Sequence, residues 1–267
     1  MTTRRTLLLG AAGLLAGAAG PALPHPPLRR RVPLAAEPID RLSTAWWRRR
    51  HEAKLAEIRT GRHDLVWLGD SITQQWEYVG PPVWRDFQPI WRKFYGDRHA
   101  LNLGFIGDAT SHLLWRMMHG ELEGLSPKAA VILIGANNLG RVHWPAEDNV
   151  LGIEAVVNEA RRRLPRTQLL LLGILPSDRG PWVAETGQAV NRALHATYAA
   201  SRVANVTYMD VGPLLLRDGR LDRTLFVDPR LSPPAPALHP SPAGMARIAA
   251  AIEPTLARLM GDRDHTL

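Results

Sequence analysis

The chain has no cysteine, which excludes disulfide stapling, a thiolate metal site and a lipidated N-terminal Cys. Lysine is nearly absent, standing only at positions 54, 93 and 128, so the pI of about 10.6 comes almost wholly from arginine. Those arginines are scattered and accompany no recognised nucleic-acid motif, and runs such as Arg48-Arg49-Arg50 and Arg161-Arg162-Arg163 read as solvated helix faces. A nucleic-acid partner is therefore not expected. Long apolar runs are lacking too. The longest reaches from Leu7 to Ala19, too short to span a bilayer comfortably, so stable membrane insertion of the mature chain is not expected. What is present is ordinary for a globular protein: 267 residues, 45% hydrophobic and 22% charged, enough for one α/β domain with extensions.

The first twenty residues read as a targeting segment. Arg4-Arg5 directly precedes the apolar stretch, and Ala16-Gly17-Ala18 offers a small-x-small cleavage site, the pattern of a twin-arginine or a plain secretory signal. Residues 21–38 hold six prolines, so 21–43 is assigned as linker and 44–262 as the folded domain. Within that domain, apolar runs at Leu65–Leu68, Ala100–Leu103, Ala129–Ile134, Leu169–Leu172 and Val206–Met209 alternate with helical stretches: Trp46–Arg59, Val83–Tyr95, Thr110–Met118, Ala146–Leu164, Val183–Ser201 and Pro242–Leu259. Strands alternating with helices of about ten or more residues imply βαβ units and a parallel sheet. In such sheets ligands bind beyond the carboxyl ends of the strands.

Four polar clusters fall at or after strand ends: Ser71, Gly107-Asp108, Asn137-Asn138 and, past the fifth strand, His239. Acyl transfer by a serine needs a nucleophile, a base and donors aimed at the developing oxyanion. Ser71 offers a hydroxyl and its own N–H, Gly107 a main-chain N–H that no side chain obstructs, Asn137 an amide, and His239 a base. Each has an ordinary structural alternative. Ser71 fits a helix N-cap, the glycines and asparagines fit turns, and His239 fits a loop ahead of a helix. Trp144 and Trp182 lie in strand-end loops, where stacking on a sugar competes with packing. None of this chemistry calls for a cofactor or a metal.

Taken together the clusters resemble the four blocks of the SGNH (GDSL-type) serine hydrolases: Gly69-Asp70-Ser71-Ile72, then Asn102 to Asp108, then Gly135-Ala136-Asn137-Asn138, then Leu238-His239-Pro240-Ser241. A longer likeness is to the platelet-activating-factor acetylhydrolase catalytic-subunit branch, through Ala100 to Asp108, Leu114-Trp115-Arg116, Gly120-Glu121-Leu122-Glu123 and Pro127-Lys128. The resemblance implies an α/β/α sandwich with a five-stranded parallel, flavodoxin-like sheet. It also implies Ser71 as nucleophile, Gly107 and Asn137 in the oxyanion hole, and His239 as base. One position departs. The aspartate usual three residues before the histidine is Pro236 here, leaving three options: a main-chain carbonyl orients His239, another acid such as Asp228 reaches it, or activity is impaired. The expectation is an exported esterase acting on small acyl, chiefly acetyl, esters of carbohydrate or lipid. Its rivals are a degenerate carbohydrate-binding relative and an O-acyltransferase. Oligomeric state is not legible.

Overall fold

The computed structural model describes residues 32–199, 203–226 and 236–266. The export-signal stretch and Asp228 lie outside the described residues. The five apolar runs become β1 (Leu65–Gly69), β2 (Ala100–Gly104), β3 (Ala129–Leu133), β4 (Gln168–Leu172) and β5 (Val206–Met209). They pair in parallel in the order β2-β1-β3-β4-β5. Both faces of the sheet are buried, because alternate side chains feed two separate cores. Val66, Leu68, Leu101, Leu103, Ile132 and Leu171 pack under α1 (Ala45–Thr60), α4 (Thr110–Arg116), α5 (Ala146–Arg163) and α6 (Pro181–Tyr198). Leu65, Trp67, Val131, Leu133, Leu170 and Leu172 pack on the other side, under α3 (Gln88–Tyr95) and α7 (Pro242–Met260). This is the three-layer, flavodoxin-like arrangement expected.

Several element boundaries differ from the expectation, each for a local reason. The helix expected over Val83–Tyr95 is a 3₁₀ turn at Val83–Arg85 followed by α3 from Gln88. Pro89 explains the break: it fits the first turn of α3, whereas in a longer helix its ring would strike the carbonyl of Arg85. The helix from Thr110 ends at Arg116 and gives way to a π-helical turn, Met117–Glu121, in which Gly120 turns to φ +102°. Part of the stretch assigned as linker lies against the domain. Ala35 is buried, its carbonyl accepts from Thr110 Oγ1 at 2.7 Å, and Ile39 N donates to Ser111 O at 3.1 Å. Arg50, expected on a solvated face, turns inward: Nε donates to Gly104 O at 2.9 Å and Nη1 pairs with Glu77 at 2.8 Å.

The parallel register sets Gly69 beside both Gly104 and Leu133, so the turns leaving β1, β2 and β3 start at one level. The strand order reverses between β1 and β3, and that switch point opens the crevice in which α/β sheets take ligands. The short helix α2 (Ser71–Gln74) lies across the ends of β1 and β2. Its approach requires glycine at 104. A Cβ there would fall 2.2 Å from Gln74 N, 2.6 Å from Thr73 C and 2.8 Å from Asp70 O, all main-chain atoms. Asn102 completes the seat, with Nδ2 donating to Thr73 O at 2.9 Å and Oδ1 accepting from Gly104 N at 2.8 Å.

Gly104→Ala should therefore force α2 off the sheet, costing about 1–3 kcal/mol of stability, as overpacking of a close contact does. Urea unfolding measures it. An unchanged midpoint would mean that α2 is not seated as tightly as these distances require.

Candidate active site

Asp70, not Ser71, caps the helix that follows β1. Asp70 Oδ1 accepts from Ile72 N at 2.9 Å, and Ser71 is the first helical residue. The capping role that a serine fills so often is thus taken by its neighbour, and the Ser71 hydroxyl is left for another partner. That partner is His239, whose Nε2 lies 2.8 Å from Ser71 Oγ across a separation of 168 residues. His239 sits in the turn before α7, and its main chain is clamped on several sides. Pro240 bridges to Phe226, Pro240 O accepts from Gln75 Nε2 at 3.1 Å, and Ala237 O accepts from Asp178 N at 2.8 Å. The segment ends in a helix cap, Ser241 Oγ accepting from Gly244 N.

The other two clusters lie in the loops after β2 and β3. Gly107 is buried and adopts φ +75°, a left-handed conformation that favours glycine. Asn137 follows β3. Its Nδ2 donates to Asp108 O at 3.0 Å and makes only a long 3.4 Å contact with Asp70 Oδ2, so the loops after β1, β2 and β3 meet at one amide. Asn138 instead ties its loop to the start of α4: Oδ1 accepts from Thr110 N at 3.0 Å and Nδ2 donates to Thr110 Oγ1 at 2.8 Å.

Beneath the loops lies a buried charge network. Asp108 is fully buried. Its Oδ1 accepts from Arg41 Nη1 and Trp47 Nε1, both at 2.8 Å, and its Oδ2 from Arg116 Nε at 2.8 Å. Arg116 also pairs with Glu121, donates to Gly69 O at 3.2 Å, and stacks 3.9 Å from the Phe105 ring. Glu121 in turn meets His51 Nδ1 at 2.9 Å. A charge-assisted chain thus runs from α1 to the end of β1 under the glycine loop.

The field at the site is shaped by burial and by Arg179, from the loop after β4. Arg179 Nη2 donates to Ala136 O at 2.8 Å, the carbonyl just before Asn137. Burial, reinforced by the charge of Asp108, pushes the Asp70 carboxyl up to about 7, against the pull of Ile72 N and Arg179. Burial, and then the Arg179 charge, push His239 below the ordinary imidazole value of 6.5.

Ser71 and His239 open onto a cleft of about 240 Å³, walled by Gln75, Tyr78, Arg85, Phe87 and Ile106. Arg85 stacks 4.9 Å from the Tyr78 ring. Gln75, Tyr78, Arg85 and Phe87 come from the stretch between β1 and α3 and Ile106 from the glycine block, and none of them was given a role from the sequence; Asp70 and Arg179 were missed as well. Gly80-Pro81-Pro82, which breaks the pattern beside the wall, was the one available signal. The tryptophans are not brought in. Neither Trp144 nor Trp182 lines this cleft; Trp182 is exposed and packs against the His143 ring at 5.5 Å, while the Trp144 main chain bonds to Asn138 and Asn149. Among the described residues, no cluster of three or more His, Asp or Glu side chains is arranged to hold a metal ion.

A five-stranded parallel sheet flanked by helices, with a hydroxyl–imidazole pair beyond its carboxyl edge, is the architecture of the SGNH hydrolases. The chain belongs to the GDSL-like lipase/acylhydrolase family, whose profile matches residues 67–247, and it is a hydrolase of the esterase kind. It is similar to platelet-activating factor acetylhydrolase IB subunit alpha2 of Rattus norvegicus, 32% identical over 192 residues covering 71% of this chain and 77% of the relative. Subunit alpha1 of the Homo sapiens enzyme is 31% identical over 216 residues, covering 80% and 84%. Among solved structures, a putative platelet activating factor protein from Streptococcus pneumonia superposes with a TM-score of 0.60 at 23% identity, covering 80% of this chain and 96% of that one. A carbohydrate acetylesterase family member from Sinorhizobium meliloti superposes with a TM-score of 0.54 at 17% identity, covering 75% and 100%. At those identities the two structures speak for the fold.

A reaction that needs His239 unprotonated should lose activity on the acid side with an apparent pKa below 6.5, since a lowered pKa keeps the base form to lower pH. A pH profile of kcat/KM on an aryl acetate reads this directly. An acid limb at or above 6.5 would contradict it.

Proposed function

We propose that the chain is an exported serine esterase that removes small acyl groups, chiefly acetyl, through a covalent acyl-enzyme. The observation that carries this reading is the 2.8 Å contact between His239 Nε2 and Ser71 Oγ. In the first step Nε2 takes the hydroxyl proton while Oγ attacks the ester carbonyl carbon. The carbonyl π pair moves onto oxygen, which is held by the N–H groups of Ser71 and Gly107 and by Asn137 Nδ2. Collapse expels the alcohol, protonated from Nε2, and leaves the acyl group on Oγ. Water then repeats the sequence: His239 takes its proton, the new tetrahedral carbon collapses, and Ser71 is regenerated as the carboxylic acid leaves.

Size and wall chemistry support a small acyl group. The cleft of about 240 Å³ is below the range of roughly 300–1,000 Å³ usual for drug-sized ligands, and Tyr78, Phe87 and Ile106 make it largely apolar. The names of the similar proteins, acetylhydrolase and acetylesterase, point the same way. The alcohol half is a carbohydrate or a lipid. Trp144 and Trp182 lend no weight to the sugar, because neither lines the cleft at Ser71.

Pro236 is exposed and offers no carboxylate to the imidazole. We assign the orienting role to the main chain: a carbonyl accepts from Nδ1, and the clamps on Ala237 and Pro240 fix the backbone that carries the ring.

Labelling by a fluorophosphonate, read by mass spectrometry, tests the nucleophile. The wild type should be labelled at Ser71, and Ser71→Ala should be folded, unlabelled and inactive on aryl acetates. Substantial residual turnover in that variant would end the assignment. In the same assay Asp228→Asn should leave kcat within a few-fold; a fall of about 10⁴, the cost of disabling a triad acid elsewhere, would show that Asp228 orients His239 instead. Product analysis on acetylated xylan and on an acetylated phospholipid, with and without a sugar acceptor, distinguishes the two alcohols and hydrolysis from transfer.

Export rests on Arg4-Arg5 and the apolar stretch that follows. Replacing both arginines by lysine should hold the protein in the cytoplasm if the twin-arginine route reads them. Undiminished export would leave an ordinary secretory signal.

A further inference from the structure

We propose that Arg179 is a positioning residue of the acyl-transfer site: a fixed positive charge, strapped over the asparagine loop, that offsets Asp70 behind the oxyanion position. The proposal rests on the reading of Ser71 and His239 given above.

The strap is visible in three contacts. Arg179 Nη2 donates to Ala136 O at 2.8 Å, Nε donates to Ser177 Oγ at 3.2 Å, and the guanidinium lies so close over Gly140 that a Cβ there would fall 1.7 Å from Nη1. The side chain therefore spans the whole turn that carries Asn137. Its charge is not spent locally. Among the described residues no carboxylate lies within ion-pair distance of the guanidinium, and the acid that acts on it is Asp70.

Asp70 creates the need for such a charge. Its carboxyl is buried, with Oδ2 3.4 Å from Asn137 Nδ2, the amide expected to receive the oxyanion. Burial holds that carboxyl neutral up to about pH 7; once ionised it is a second negative charge beside the amide, opposing the one that develops in the reaction. Arg179, bonded to the same loop at Ala136 O, offsets it. The charge also reaches His239, where it disfavours the imidazolium and keeps the base form available at lower pH. The arrangement trades some base strength for a stronger pull on the oxyanion.

His239 has other charged and titratable neighbours in the elements packed around it. These are Asp70 at the α2 cap, Tyr78 and Arg85 in the cleft wall, and Asp178, paired with Arg223. The test isolates Arg179 from them by comparing Arg179→Gln, Arg179→Lys and the double variant Arg179→Gln/Asp70→Asn. Three readouts are taken: thermal unfolding, kcat and KM at the alkaline plateau, and the pH dependence of fluorophosphonate labelling at Ser71.

Arg179→Gln should lower plateau kcat at least tenfold, short of the roughly 10²–10³ of losing a direct oxyanion donor, with KM within about twofold. Its labelling should acquire an acid limb at higher pH than the wild type, because removing a positive charge lets His239 hold its proton more firmly. Arg179→Lys, which keeps the charge but loses the planar fork, should keep the acid limb in place. The double variant should regain several-fold in kcat over Arg179→Gln, since the charge to be offset is gone. The charge role is overturned if Arg179→Gln leaves the acid limb unmoved, or if Lys and Gln are equally impaired, for then the side chain acts only as a strap. It is overturned equally if the double variant is as slow as the single one. Should Arg179→Gln fold poorly, the Lys and double variants still decide. Absence of labelling at Ser71 in the wild type would instead bring down the reading of the site, and this inference with it.

Discussion

The carboxylate of Asp108 is the joint on which the carboxyl edge of the sheet depends. A fully buried charge is costly unless every lone pair is engaged, and here Arg41, Trp47 and Arg116 engage both oxygens. The same residue offers its main-chain carbonyl to Asn137. The side chain of Asp108 thus holds the helical layer, through Trp47 and the Arg116–Glu121–His51 chain, while its carbonyl fixes the side-chain amide of Asn137. Removing one partner of a buried ion pair typically costs about 3–5 kcal/mol, because the remaining charge is stranded. That cost, spread over several hydrogen bonds, makes the positions of the glycine and asparagine loops discrete rather than adjustable.

Such rigidity matters because the site is assembled from segments far apart in the chain. Ser71 is met by a histidine that returns across 168 residues, and the loops bearing Gly107 and Asn137 leave strands whose register ends at the level of β1. An oxyanion site works only if its donors are already in place when charge develops. In the proposed reaction the fixed loops supply that condition, and Asp70 supplies another by capping α2 and leaving the serine hydroxyl uncommitted.

What was legible in the sequence follows from this construction. The strands read clearly because a parallel sheet covered on both faces writes itself as short apolar runs, and the four polar clusters read clearly because each is a local turn at a strand end. The layer architecture and the pairing of Ser71 with His239 follow from those two signals. Properties that depend on three-dimensional juxtaposition were not legible. Arg179 is one arginine among many until the β4 loop folds over Ala136. Asp70 looks like a spacer until Ile72 N finds it. Tyr78 and Phe87 stand on either side of Gly80-Pro81-Pro82, Phe87 inside a stretch that reads as a helix, and only the fold turns them into a wall. Trp144 and Trp182 failed in the opposite sense: loop position suggested a role that the geometry of the cleft does not give them.

The proline at position 236 bears on how such a site divides its work. A carboxylate beside a catalytic imidazole raises its pKa and stabilises the imidazolium formed in the reaction. The described surroundings of His239 do the reverse, through burial and a nearby arginine. In the proposed reaction the imidazole is therefore a weaker base that stays available to lower pH, and less of the barrier is lowered on the proton-transfer side. More must be lowered where the oxyanion forms. The structure is consistent with that division: the loop bearing Asn137 is tied to both Asp108 and Arg179, whereas the segment bearing His239 is held by hydrogen bonds to its main chain that fix position without adding charge. If the main chain orients His239 as proposed, the missing aspartate is offset on the oxyanion side, where Asp108 and Arg179 hold the asparagine loop.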